Sequence, residues 1–171
     1  MALSDVDIRE YLAKGVIKIE PLQDDQIGPA SVDLTLSDEW YFFKDHVHGR
    51  TVALDETGFQ EAFSKVEADS VVLKPGELCL GKTLEKITLP PGIIGKLEGR
   101  SRYARMGLII HITAALVQPG SDNHQVLEIV NLAPFPVALR KGMRISQILF
   151  EEMKTPTSRP YREFGEIARH Q

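Results

Sequence analysis

Between residues 70 and 153 the chain is a series of short aliphatic stretches, such as "SVVL", "LIIHITAALV", "QVLEIVNL" and "RISQILFEEM". They are cut apart by "KPGE", "LPPG", "QPGSDNH", "APFP" and "RKG". Valine, isoleucine, leucine and threonine suit a pleated, half-buried surface, and proline and glycine fix the turns between such segments. The intervals are those of an all-β sandwich or barrel, and "SVDLTLS" and "EWYFF" add strands upstream. Helical patterns are confined to two short segments. "SDVDIREYLAKG" opens with Ser4 as N-cap and an acidic first turn, puts Val6, Tyr11 and Leu12 at helical positions, and stops at Gly15. "GFQEAFSKVEA" repeats Phe59, Ala62, Phe63 and Val66 at i, i+3, i+4 and i+7, which predicts a second short helix. The fold class expected is mainly β.

With 171 residues the chain suits one core, so residues 1–171 are read as a single domain. From residue 154 "KTPTSRPYREFGEIARHQ" turns to proline and charge, and 154–171 is expected to be a tail over the surface or toward a neighbouring subunit. The apolar runs are too short to span a membrane. "MALSDVDIREYL" has acidic residues where an export signal has a basic region and an apolar core, so a cytoplasmic location is expected. A net charge of −4 argues against a nucleic-acid partner, which would need a broad basic surface. The lone Cys79 excludes an internal disulfide and zinc sites built on two or more thiolates. Of the five histidines only "HVH" has a spacing for two imidazoles on one strand face, and such a pair is more often a polar loop.

Against this acidic background "LEGRSRYARMG" crowds Arg100, Arg102 and Arg105 around Ser101. A helical turn from Ser101 would bring Ser101 and Arg105, at i and i+4, onto one face, where a hydroxyl, backbone N–H groups and guanidinium forks suit phosphate oxygens. The alternative is a solvated basic turn paired with surface carboxylates, and charge alone does not separate the two. Glu128, inside "QVLEIV", shares a strand face with Val126 and Val130. Burial there would raise its pKa into a range useful for proton transfer, whereas an edge position would leave it an ordinary solvated glutamate. His111 in "LIIHITA" reads as a hydrogen-bonded core histidine standing behind a site.

"LKPGELCLGKTLEKITLPPGIIGKLEGRSRYARMGLIIHITAALVQPG" with "LEIVNLAPFPVALRKGMRISQILF" resembles the dCTP deaminases, relatives of the trimeric dUTPases; "IGPASVDLTL" and "RPY" also fit. The resemblance implies a distorted β-barrel or jelly-roll-like fold of the dUTPase type with short peripheral helices. It also implies a homotrimer with active sites shared between subunits. The reaction implied is hydrolytic deamination of dCTP to dUTP and ammonia. Glu128 would be the catalytic glutamate that activates water, with Ser101 and Arg105 beside the reacting base. Substrate contacts are implied for Arg100, Ser101, Arg102, Tyr103, Ala104 and Arg105. Thr113, Ala114 and Gln118 follow, then Val126, Leu127 and Glu128, and finally Gln147, Tyr161 and Arg169, with His111 in support. Magnesium would arrive with the triphosphate. No zinc is implied, and a single cysteine cannot supply the P-C-x-x-C signature of the zinc deaminases.

The chain departs from the family pattern at Arg102, usually serine, at Gln118, where many relatives carry aspartate, and in a tail that ends at Gln171. Three readings follow: a dCTP deaminase; a dUTP diphosphatase or bifunctional enzyme, which Gln118 disfavours; and an inactive trimer that binds deoxynucleotides such as dCTP, dUTP or dTTP.

Overall fold

A computed structural model describes residues 1–111 and 113–164 of the protein. The first helix forms as the sequence predicts. α1 (Asp5–Ala13) has a capping box in which Ser4 Oγ accepts from the Asp7 N–H at 3.3 Å and the Asp7 carboxylate accepts from the Ser4 N–H at 2.9 Å. Gly15 ends it at φ +67°, the left-handed value that glycine adopts without strain. The side chain it buries is Ile8, whereas Val6 is exposed.

Eleven strands follow. β1 (Lys18–Glu20) and β2 (Val32–Phe43) flank a 3₁₀ turn at Asp24–Gln26. Next come α2 (Phe59–Ala62), β3 (Phe63–Glu67), β4 (Ser70–Leu73), β5 (Leu78–Thr88), β6 (Ile93–Gly99) and α3 (Ser101–Ala104). β7 (Leu108–Ile110), β8 (Leu116–Val117), β9 (Asp122–Asn131), β10 (Val137–Arg140), β11 (Arg144–Glu152) and α4 (Tyr161–Phe164) complete the described chain. All the pairings are antiparallel. One curled sheet runs β7-β9-β5-β2-β11-β6-β8, with β1 added to β5 and β3 to β2, while β4 and β10 pair separately.

Two segments differ from the sequence reading. "SVDLTLS" and "EWYFF" fuse into the single strand β2. The second helix stops after one turn, and Phe63–Glu67 pairs instead with the end of β2, Phe63 opposite Phe43. Ring contacts of 4.3 Å (Phe43–Phe63) and 4.9 Å (Phe59–Phe63), with a strand ladder, outweigh the weak helical preference of aromatic and β-branched residues. The "HVH" pair falls in a 3₁₀ turn, Asp45–Val47, and its following residue, with both histidines exposed, the polar loop that the sequence favoured.

The concave face of the sheet is the core: Trp40, Leu34, Leu36, Ile87, Leu97, Leu127, Ile129, Ile148 and Phe150 are fully or almost fully buried. Each such side chain contributes about 1.5–3 kcal/mol of transfer free energy. β9 alternates strictly, with Asn123, Gln125, Leu127, Ile129 and Asn131 inward and His124, Val126, Glu128 and Val130 half-buried on the convex face. After β11 the tail runs back over its own chain, with N–H groups of Met153, Thr157 and Tyr161 donating to the carbonyls of Gly92, Pro91 and Pro119, each at 2.9 Å. Among the described residues no helix is long and apolar enough to cross a membrane.

Candidate active site

Asp33 on β2, Gln147 on β11 and Glu98 on β6 lie in register across three adjacent strands. At this seam a cavity of about 400 Å³ is lined by Asp25, Gln26, Ser31 and Asp33 on one side and by Arg100, Ser101, Arg102 and Gln147 on the other. Arg100 directs one nitrogen to the Asp33 carboxylate at 3.1 Å and donates from another to the Arg144 carbonyl at 3.1 Å. Burial pushes the Asp33 carboxyl above its ordinary pKa, against the pull of Arg100 and Arg144. Ser31 Oγ donates to Gln147 Oε1 at 2.8 Å, and Gln147 Nε2 donates to the Gly99 carbonyl at 3.3 Å. Arg144 holds Asp25 at 2.8 Å. Arg100 and Arg102 thus face the cavity together with Asp25 and Asp33, and each carboxylate is bound to an arginine before any ligand arrives.

The basic segment forms one helical turn only. Ser101 and Arg102 line the cavity; Arg105, at the C-cap, is exposed and outside the lining, and its N–H donates to the Ser101 carbonyl at 3.1 Å, the i, i+4 relation expected of the turn. Arg102 lies over the Tyr103 ring, 5.7 Å from its centroid, and Ala104 is exposed.

Glu128 builds a second cluster. His111, 8% exposed, ends β7 at φ +50°, a costly conformation for a residue other than glycine. Its N–H donates to the Glu128 carbonyl at 2.9 Å, and its ring lies between two oxygens. Nε2 is 3.0 Å from the Ala114 carbonyl, and Nδ1 is 2.6 Å from Glu128 Oε2, with neither of these two atoms meeting any other partner. Burial pushes the Glu128 carboxyl up, but the hydrogen-bond and charge contributions of His111 bring it below the ordinary glutamate value. The elevated pKa expected from burial is therefore corrected: a half-buried carboxylate beside an imidazole is stabilised as the anion.

The neighbouring positions divide. Val126 shares the half-buried face of Glu128, whereas the Leu127 side chain, 0% exposed, points into the core, so any contact from position 127 is limited to its backbone. Thr113 and Ala114 are exposed in the loop after β7. Gln118 is exposed, its carbonyl accepting from Ser121 N and Oγ at 3.2 and 2.7 Å. Tyr161 is half-buried on the Pro119 turn, and Arg169 lies outside the described residues. The cavity lining includes Arg100, Ser101, Arg102 and Gln147 but not Glu128. Residue reasoning did not single out Asp25, Gln26, Ser31 and Asp33. The motif "IGPASVDLTL" carried a signal for Ser31 and Asp33 but not for Asp25 and Gln26, and the pairing of β2 with β11 that sets Asp33 opposite Gln147 is nonlocal.

The sequence pattern of the family described as dCTP deaminase-like matches residues 2–153. The chain is 42% identical over 170 residues to a dCTP deaminase of Rhodospirillum rubrum, covering 94% of this chain and 87% of that protein. It is 39% identical over 163 residues to a dUMP-forming dCTP deaminase of Methanosphaera stadtmanae, with 93% and 83% covered. Among solved structures it is similar to the 2′-deoxycytidine 5′-triphosphate deaminase of Agrobacterium tumefaciens at TM-score 0.69 and 26% identity. That match covers 87% of this chain and 47% of the other, so the chain spans about half of its length. The dUTPase of Staphylococcus bacteriophage 80alpha matches at TM-score 0.52 and 17% identity over 88% and 98% of the two chains, a likeness of fold. A match over nearly the whole length, with the curled antiparallel sheet of the dUTPase type beneath it, places this chain in the dCTP deaminase-like family.

Proposed function

We propose that the protein converts dCTP to dUTP and ammonia, and that Glu128 is its general base. The observation that carries this reading is the Glu128 carboxylate itself, half-buried on β9 with the His111 ring nitrogen 2.6 Å away. In the proposed reaction Glu128 takes a proton from water as the oxygen adds to C4 of cytosine, and passes it to N3. It then moves the remaining hydroxyl proton to the C4 amine, the C4–N bond breaks, and ammonia leaves a C4 carbonyl. Such transfer is typically worth about 10²–10⁴ in rate. Arg100, Ser101 and Arg102 would hold the triphosphate, with Arg100 exchanging its Asp33 partner for phosphate oxygens.

The donor set fits a magnesium ion carried by the nucleotide. Asp25 and Asp33 face the cavity but are each bound to an arginine, so they form no cage of their own. When bound, the ion would neutralise phosphate charge. Because Glu128 is not among the residues lining the cavity, we place the complete site between subunits of a homotrimer, Glu128 from one and Arg100–Arg105 from the next. Gln118 offers no carboxylate to activate a second water, which favours dUTP over dUMP as the product.

The test is an incubation with magnesium and dCTP or dUTP, following ammonia and resolving the nucleotides by chromatography. Ammonia and dUTP from dCTP are expected. Formation of dUMP and pyrophosphate would replace this reading with the bifunctional one, and binding of dCTP without ammonia release would remove the role given to Glu128.

A further inference from the structure

A carboxylate inside an apolar barrel is costly unless both oxygens are satisfied, and a well-packed hydrophobic residue would usually cost less. Glu85, 1% exposed, lies on the inner face of β5 with Thr83 and Ile87. Its Oε1 accepts from Gln26 Nε2 at 2.7 Å and its Oε2 from the Thr35 N–H at 2.8 Å. Gln26, 4% exposed, uses the same Nε2 to donate to the Asp33 carbonyl at 2.8 Å, while its Oε1 accepts from the Gln23 N–H at 2.8 Å. The four bonds form a strut with one end in the core. The other end holds two parts of the cavity wall: the turn Asp24–Gln26 and the β2 segment at Asp33 and Thr35.

Asp33 is the residue that orients Arg100, and its register partner Gln147 is held by Ser31. A shift of this segment would displace the arginine, the amide and the wall together. We infer that Glu85, acting through Gln26, is a positioning residue for the triphosphate: it presets the cavity before the nucleotide arrives and does not touch the reacting atoms. This rests on the reading of the cavity as the phosphate site. Preorganisation of this kind acts on binding, because the wall is already ordered when the ligand enters.

Glu85→Gln keeps the side-chain volume and an acceptor for Thr35 but opposes one amide to another at Gln26. Gln26→Met cuts the strut from the other end at nearly constant volume. Both are measured by initial-rate kinetics with dCTP and magnesium, by calorimetric binding of inorganic tripolyphosphate, and by thermal unfolding. We expect KM for dCTP and Kd for tripolyphosphate to rise about tenfold while kcat stays within about twofold, the pattern of lost ground-state binding. Ile8→Val, a core truncation in α1, should lower the unfolding temperature and leave KM and Kd in place. Variants that lose stability with KM and Kd unchanged, or lose kcat alone, overturn the inference, as does a wild-type protein that does not bind tripolyphosphate. A wild type that binds tripolyphosphate but releases no ammonia sinks the deaminase reading while the binding measurement still decides the strut. If Glu85→Gln does not fold, Gln26→Met carries the test.

Discussion

At the scale of single residues, the chemistry concentrates in the contact between His111 and Glu128. Glu128→Gln keeps the shape and removes the base, so kcat should fall about 10²–10⁴-fold while dCTP binding persists. Rapid-quench turnover beside calorimetric binding checks both halves, and parallel loss of binding would refute the role. The pH dependence follows from the direction of the shift. A base must be ionised, and His111 holds Glu128 below its ordinary value of 4.5, so the acid limb of kcat/KM assigned to Glu128 should lie below pH 4.5. The sign for stability agrees: a depressed carboxyl stabilises the fold above its ordinary pKa, and that contribution is lost as pH falls through the lowered value. His111→Asn tolerates the left-handed backbone at φ +50° and removes the imidazole. Its pH–rate profile should therefore show the acid limb displaced upward, and an unmoved limb would show that the histidine does not tune the base.

Among the elements, the tail is held by its fit to one glycine. A Cβ on Gly120, at φ +81°, would sit 2.6 Å from Pro160 Cβ and 2.9 Å from its Cα, so only glycine lets Pro160 and Tyr161 settle on the turn after β8. Tyr161 and Arg162 then donate to the carbonyls of Pro119 and Gly120 at 2.9 and 3.3 Å. Gly120→Ala should cost about 1–3 kcal/mol through strain and contact, most easily relieved by lifting the tail. Limited trypsinolysis would read this as faster cleavage after Arg162 with the barrel intact; an unchanged rate would mean that the latch is not what holds the tail.

For the whole molecule, what matters is how Glu128, which is not among the residues lining the Arg100–Gln147 cavity, meets the basic segment. If neighbouring copies complete each other's sites, two inactive variants should rescue one another. Glu128→Gln mixed in equal amounts with Arg105→Ala, after dissociation and reassociation, should recover roughly a quarter of wild-type activity by random assembly of a cyclic trimer. No recovery in an assembly shown by light scattering to be mixed would place each site within one chain.

Much of this was legible in the sequence because its causes are local. Turn residues between β-branched runs specify a β fold, Ser4 and Gly15 bound the first helix, and the alternation of β9 puts Glu128 on a face with Val126. The ordered motifs were sufficient to indicate the family. Tertiary structure decided what depends on partners distant along the chain. Phe63–Glu67 became a strand because β2 was there to pair with it. Glu128 lies below rather than above its usual pKa because the fold sets His111 beside it, and the cavity exists because Asp33 and Gln147, far apart in the chain, share one ladder. Local propensity and periodicity fix which face a side chain takes; which charge or hydrogen-bonding group meets it there is settled by long-range pairing, which a one-dimensional pattern does not encode.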